Sequence, residues 1–291
     1  MSGLSLTNLM PWRSRRPLVS VVRLAGVIGQ AGVLRSGLSG HGLRTLIERA
    51  FAPRDLSAVA LVINSPGGSP VQSSLIFQHI RTLADEHQVP VLAFAEDVAA
   101  SGGYWLACAA DEIFADANSI IGSIGVISAS FGFAEAIERL GIERRLYTSG
   151  DRKSLLDSFT PTRDEDVERV RALQGEIHDS FKALVRQRRG RRLVGDDSLL
   201  FSGEFWTGRR ALELGLIDGI GELRQTLRAR FGEDVRIRTV ARKSGFLARR
   251  LPLRGAVGLS AGDSEWAGLG DLPGRLLAVL EERDLWSRFG L

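Results

Sequence analysis

The run Ala58-Val59-Ala60-Leu61-Val62-Ile63 is continuously apolar and breaks off at Asn64-Ser65-Pro66-Gly67-Gly68. An unbroken apolar run, with no polar residue in alternate positions, fits a strand covered on both faces. The proline and the glycine pair then end it in a turn. Upstream, Leu18-Val19-Ser20-Val21-Val22-Arg23-Leu24 reads as a second strand, rich in β-branched residues. A glycine-punctuated loop, Gly37 to Gly42, leads to Leu43, Leu46, Ile47 and Ala50 at helical spacing. Downstream, a helix is expected from near Pro70, with Leu75, Ile76, His79, Ile80 and Leu83 on one face. The strand Pro90-Val91-Leu92-Ala93-Phe94, a buried helix over Tyr104 to Ala110 and a short strand at Glu112 to Ala115 follow. This alternation predicts a layered α/β fold with mostly parallel strands and flanking helices.

Further along, Ile120 to Ser128 is β-branched, Phe131 to Leu140 reads as a short helix and Glu143 to Tyr147 as a strand. A polar loop leads to a long helix that Thr162 or Asp164 would cap, with Val167, Val170, Leu173, Ile177, Phe181 and Leu184 forming one apolar face. A short helix over Arg209 to Leu214 is predicted within 203–221, and a helix and a strand within 222–240. Residues 1–16 read as a disordered lead-in, 17–240 as the main domain and 241–291 as a C-terminal extension. Leu276, Leu277, Leu280, Leu285, Trp286 and Phe289 would close that extension as an amphipathic helix, packed in the core or serving as an arm for a partner or a membrane surface.

The chain has 291 residues, 44% hydrophobic and 25% charged, the balance of an ordinary globular protein. Its one cysteine, Cys108, excludes an intrachain disulfide and a multi-cysteine zinc site. The four histidines, His41, His79, His87 and His178, show no metal-binding spacing, so no metal and no cofactor are expected. Basic clusters at Arg13 to Arg16, Arg186 to Arg192 and Arg242 to Arg254 read as solvated faces, and nucleic acid is not expected as a partner. No stretch reaches the roughly 18 apolar residues of a membrane span, and no secretory signal is recognised at the N-terminus. The reading is cytoplasmic, with peripheral docking on the inner membrane left open.

Of 38 basic residues only Lys153, Lys182 and Lys243 are lysines. Arginine stays charged, whereas a desolvated lysine can give up its proton and act as a base. Lys153 lies in the polar loop Ser149-Gly150-Asp151-Arg152-Lys153-Ser154. The partner for such a base is Ser101, in Ala99-Ala100-Ser101-Gly102-Gly103, a serine among small residues at the entrance to a helix. The N–H of Gly102, and one from the glycine pair of the Asn64 turn, are candidate donors to a developing oxyanion. An amine base near neutral pH must sit about 2–3 units below the ordinary lysine pKa of about 10.4, a shift that burial against apolar surface can impose. Leu155, Leu156 and Phe159 are the candidates for that surface, and Ser123 or Ser128 for a hydroxyl that orients the amine. His79, His87 and His178 read as core or surface histidines rather than bases.

The segments VINSPGGSP (62–70), EDVAASGGYWLACAADEIFA (96–115), IIGSIGVI (120–127), SGDRKS (149–154) and FWTGRRALELGLIDGIG (205–221) together resemble the signal peptide peptidase A (SppA) family of serine peptidases, over about residues 17–240. The resemblance implies a ClpP/crotonase-type fold and a Ser-Lys dyad with Ser101 as nucleophile and Lys153 as general base. It also implies oxyanion N–H groups from Gly68 and Gly102. The expected substrate is an apolar peptide, such as residual signal peptide, and the expected assembly a homo-oligomer in which neighbouring subunits can share active sites. Two other readings stay open: a crotonase-like acyl-CoA enzyme, and a non-catalytic oligomeric scaffold.

Overall fold

The computed structural model describes residues 16–29, 37–150, 152–241 and 283–290. Its strands are β1 (Leu18–Ala25), β2 (Leu56–Ser65), β3 (Val91–Ala100), β4 (Glu112–Ala115), β5 (Ile120–Gly122), β6 (Phe205–Thr207), β7 (Gly219–Ile220) and β8 (Arg236–Thr239). Its helices are α1 (Gly40–Phe51), α2 (Pro70–His87), α3 (Gly102–Ala107), α4 (Ala134–Arg139), α5 (Asp164–Arg189), α6 (Asp197–Leu200), α7 (Gly208–Glu213) and α8 (Leu223–Phe231). The strands form one sheet in the order β6-β5-β3-β2-β1-β8, with β4 on β3 and β7 on β4. Every pairing is parallel except β5 with β6. This is the layered, mostly parallel architecture expected of a ClpP/crotonase-like fold.

The apolar run of β2 is covered on both sides, as its composition requires. Val59, Leu61 and Ile63 enter a core with α1, α2, α3 and the end of α5. Ala58 and Ala60 turn to the opposite face, where Leu227 of α8 packs with Val19, Val21, Leu92 and Phe94. β3 is longer than the Pro90 to Phe94 reading because its edge serves two partners. Leu92 to Ala95 pair with β4, and Val98 to Ala100 pair with β5. Between them β3 bulges against β2: Ile63 faces Ala95, yet Ser65 faces Ala99. The Asn64 amide spans the bulge, donating to Asp97 Oδ2 at 2.7 Å and accepting from the Val98 N–H at 3.3 Å. Past the bulge β3 stays paired with β5 through Ala100, and Ser101 follows directly.

Several local expectations fail for identifiable reasons. Glu143 to Tyr147 is not a strand: among the described residues no strand pairs with it, and Leu146 and Tyr147 are exposed. Of Ile120 to Ser128, only Ile120–Gly122 is a strand. α5 takes Arg163 as its N-cap without a side-chain bond, so neither Thr162 nor Asp164 caps it, and Asp164, Glu165 and Asp166 complement the helix dipole instead. The stripe predicted on α5 is buried only at its C-terminal end, where Phe181 and Val185 enter the core; Leu173 and Ile177 are exposed. On α2, Leu75 points outward and Ser73, Ile76, Ile80 and Ala84 form the buried line. The 1–16 lead-in, apart from Arg16, and most of 241–291 lie outside the described residues. A short helix spans 283–287, and Phe289 meets Phe205 edge-on with ring centroids 5.2 Å apart.

The cluster Arg186 to Arg192 is not wholly a solvated face. Arg189 is 2% exposed and forms a two-point pair with Asp218, at 2.7 and 3.0 Å, while its Nε donates to Gly215 O at 3.0 Å. Asp218 also accepts from the Ile113 N–H of β4 at 2.8 Å, so the pair ties α5 to the sheet. Removing Arg189 takes the two-point partner from Asp218 and leaves it only the more distant Arg192, at 3.4 Å. Arg189→Met is therefore expected to lower the unfolding free energy by about 3–5 kcal/mol, measured by denaturant titration followed by circular dichroism. An unchanged midpoint would refute this account of the pair.

Candidate active site

Ser101 stands between the end of β3 and the start of α3, with φ 53° and ψ −122°. That left-handed backbone costs a serine roughly 1–3 kcal/mol and persists only where the surroundings impose it. On one side the Ser101 N–H donates to Gly122 O at 2.8 Å, and Trp105 N–H returns to Ser101 O at 3.0 Å. On the other side the Asn64 turn presses against it. A Cβ on Gly67, which has φ 105°, would fall 2.7 Å from Ser101 Cβ and 2.9 Å from Gly102 N. A Cβ on Gly68, with φ 137°, would collide with the Ile28 carbonyl, because Ile28 bridges this turn in parallel fashion. Both glycines are thus demanded by backbone conformation and by close approach.

The chemistry of the turn follows from which groups are already engaged. The Gly67 N–H donates to Ser65 Oγ at 3.2 Å, and Gly67 O accepts from the Ile28 N–H at 2.8 Å. Among the described residues, the N–H groups of Gly68 and Gly102 have no hydrogen-bond acceptor. Ser101 makes no side-chain capping bond to α3, so its hydroxyl is not spent on the helix, and the residue is half-exposed. Three of the four expected site residues, Ser101, Gly68 and Gly102, therefore meet where β2 and β3 end. The carboxyl ends of parallel strands are where α/β proteins present reactive groups.

Lys153 is not brought to them within the single chain. It lies on an exposed turn, its backbone N–H donating to Gly150 O at 3.2 Å. No hydrogen bond among the described residues joins it to Ser101. Its loop belongs to the excursion 126–163. There Phe131, Phe133 and Phe159 cluster, Arg144 sits over the Phe159 ring and pairs with Asp157 at 2.9 Å, and the Phe133 N–H donates to Ser158 O at 2.6 Å. Hydrogen bonding from the Phe159 N–H and from Arg144 holds the Asp157 carboxyl below its usual pKa. Leu155 and Leu156 are half-buried, but Phe159 is 40% exposed, and these side chains leave Lys153 open to solvent. Ser123 has φ 50° and its N–H donates to Glu204 O at 2.7 Å; Ser128 is exposed. Neither has a hydrogen bond to Lys153 among the described residues.

Other nucleophiles and bases recede. Burial pushes the Cys108 thiol up to about 12, so it stays protonated. Among the described residues none of the histidines bonds Ser101: His178 Nε2 meets Ile124 O at 3.1 Å, His87 packs against Phe51, and His79 Nε2 is buried without a partner. Reading the sequence alone missed Asn64 and Ile28 as shaping residues. Asn64 carried a weak signal, as the only amide between an apolar strand and its glycine turn; Ile28 acts through its backbone and carried none. Among the described residues no cluster of acidic, histidine or cysteine side chains could hold a metal ion, and no helix is long and apolar enough to cross a membrane.

The family model for peptidase family S49 matches residues 84–235. This chain belongs to peptidase family S49. The match spans the Ser101 turn, the Lys153 loop and α5. Relatives at the level of sequence include the "Na(+)/H(+) antiporter NhaA" of Brucella abortus, 49% identical over 98% of this chain and 39% of that protein. The chloroplastic serine protease SPPA of Arabidopsis thaliana is 31% identical over 73% of this chain and 32% of that protein. The chain thus spans well under half the length of either relative. Among solved structures, the 1510-N membrane-bound stomatin-specific protease matches with a TM-score of 0.48 and 14% identity, over 78% of this chain and 99% of that one.

The crowding at the Asn64 turn makes a direct prediction for this S49 chain. Gly67→Ala places a methyl where Ser101 Cβ and Gly102 N already stand. It is expected to abolish labelling of Ser101 by a fluorophosphonate probe and to destabilise the fold by about 1–3 kcal/mol. Parent-level labelling of the variant would show that the turn does not shape the serine.

Proposed function

We propose that this chain is the catalytic unit of a Ser-Lys endopeptidase that hydrolyses extended apolar peptides, residual signal peptides among them. Ser101 Oγ attacks the scissile carbonyl as Lys153 takes its proton, and the amine then returns that proton to the leaving nitrogen. The N–H groups of Gly68 and Gly102 hold the oxyanion. Water activated by the same lysine releases the acyl group from Ser101. The observation that carries this reading is the left-handed Ser101, its hydroxyl free of capping duty, pressed against a glycine turn with an unspent N–H.

The general base comes from a second copy of the chain. Three features support this. Lys153 is exposed, so the desolvation that a lysine base requires is not supplied by its own chain. The excursion that carries it exposes Ile127, Phe131, Leu140, Ile142 and Tyr147, large apolar side chains that a second subunit would cover. Finally, α5 is anchored where Phe181 stacks on Trp105 of α3, ring centroids 4.7 Å apart, and its start at Asp164 stands on the order of 25 Å away along the helix axis. A homo-oligomer that buries the excursion against the next subunit satisfies all three.

Ser101→Ala and Lys153→Ala are each expected to lose peptide cleavage, by about 1,000-fold or more, with unchanged circular dichroism. Lys153→Arg should be equally inactive because a guanidinium does not deprotonate. Co-assembly of Ser101→Ala with Lys153→Ala chains should restore part of the activity, since a Ser101 from one copy then meets a Lys153 from the other. Activity in Ser101→Ala, or in Lys153→Arg, would overturn the dyad. Mixed assemblies with no recovery would place both residues of each site in one chain.

A further inference from the structure

The Ser101–Gly102 turn is the start of a helix of six residues, and that helix is held from behind. Three consecutive carbonyls after α3 are each taken by an arginine. Cys108 O accepts from Arg188 Nε at 2.8 Å and Ala110 O from the same guanidinium at 2.9 Å, while Ala109 O accepts from Arg81 of α2 at 3.1 Å. Both arginines also reach Asp111, at 3.1 and 2.9 Å, and Asp111 in turn accepts from the Val91 N–H at the start of β3. Tyr104 OH donates to Leu216 O at 2.7 Å and fixes the rotation of the helix. At the front of α3 Ser101 gives no side-chain cap, and the fastening is backbone: the Ser101 N–H donates to Gly122 O at 2.8 Å.

This asymmetry has a physical logic. A helix end leaves backbone groups unpaired, and something must satisfy them. A side-chain cap at the front would occupy N–H groups and the serine hydroxyl together. Cations at the rear satisfy the carbonyls and complement the negative end of the helix dipole, so the front can stay open while the helix keeps its place. Arg188 holds two carbonyls with the fixed geometry of one planar fork, which the compact, rotating ammonium of a lysine does not reproduce. We propose that Arg188, backed by Arg81, is a positioning residue for the peptidase reaction: it fixes the place and tilt of α3 and so the distance from Ser101 and Gly102 to the scissile carbonyl. The proposal rests on Ser101 being the nucleophile. Arg188 and Arg189 leave the same helix end in opposite roles, Arg189 securing the fold through Asp218 and Arg188 aiming the reactive turn.

The test uses the full chain in its assembled form, with a fluorogenic apolar peptide as substrate. Ser101→Ala is assayed first, and full activity there would overturn the nucleophile and this proposal with it. Against an inactive Ser101→Ala, Arg188→Met is expected to lower kcat by about 10- to 100-fold, with KM within about twofold of the parent and a similar unfolding midpoint. Arg188→Lys should recover only part of the loss. A peptide boronate, which resembles the tetrahedral intermediate, should weaken in step with kcat, whereas an uncleaved peptide analogue should bind as before. Parent-level kcat in folded Arg188→Met, or a loss matching only the fraction unfolded, would overturn the positioning role and leave Ser101 as nucleophile intact. If Arg188→Met does not fold, Arg188→Lys decides by the same kcat and boronate ratios.

Discussion

A serine in left-handed backbone at the end of a buried parallel strand is the constraint around which this fold is organised. Ser101 at φ 53° is unfavourable in isolation. It is sustained because β3 extends past its pairing with β4, gains β5 as a second partner, and bulges where Asn64 bridges Asp97 and Val98. The Gly67-Gly68 turn closes on it from the next strand, and Ile28 closes on that turn. Each contact is made by backbone or by a residue with little freedom, so the strain is spread over the end of the sheet rather than concentrated in one bond.

The same economy explains α3. It is almost wholly buried, with Tyr104 and Leu106 inaccessible, and hydrophobic packing holds its body. Packing alone leaves a short helix free to slide along its axis, whereas directional bonds at its rear do not. Those bonds come from α2 and α5, the helices flanking it, so the reactive turn is referenced to the whole layer. The 126–163 excursion is built on the opposite principle. It has its own small aromatic cluster and ion pair, and it leaves large apolar side chains in solvent. The homo-oligomer proposed above would cover these side chains.

Much of the architecture was legible from local pattern. Continuous apolar runs marked β2 and the start of β3, β-branched content marked β1, and the Pro70 start, the Arg209 helix and the final helix and strand fell close to their places. The places of Ser101 and Gly102 after β3 and of the glycine pair after β2 were legible too, because small residues at a strand end permit close approach; their roles belong to the proposed function. The failures cluster where periodicity was right but the partner was absent. Glu143 to Tyr147 has strand composition and no strand beside it, and α5 has an amphipathic stripe of which only the last turns find a core. Arg188 and Arg189 were hidden within a run of arginines whose outward and inward members look alike in sequence.

The amino-acid sequence by itself determined most of the element types, the glycine turn at the end of β2 and the choice of a serine among small neighbours, since these follow from propensity, chain stiffness and side-chain volume over a few residues. Only the tertiary structure decided which arginines face inward, how β3 divides its edge between two strands, and that Lys153 is exposed on its turn with no hydrogen bond to Ser101 among the described residues. Those outcomes depend on what packs against each residue from far along the chain, and short-range spacing carries no record of that.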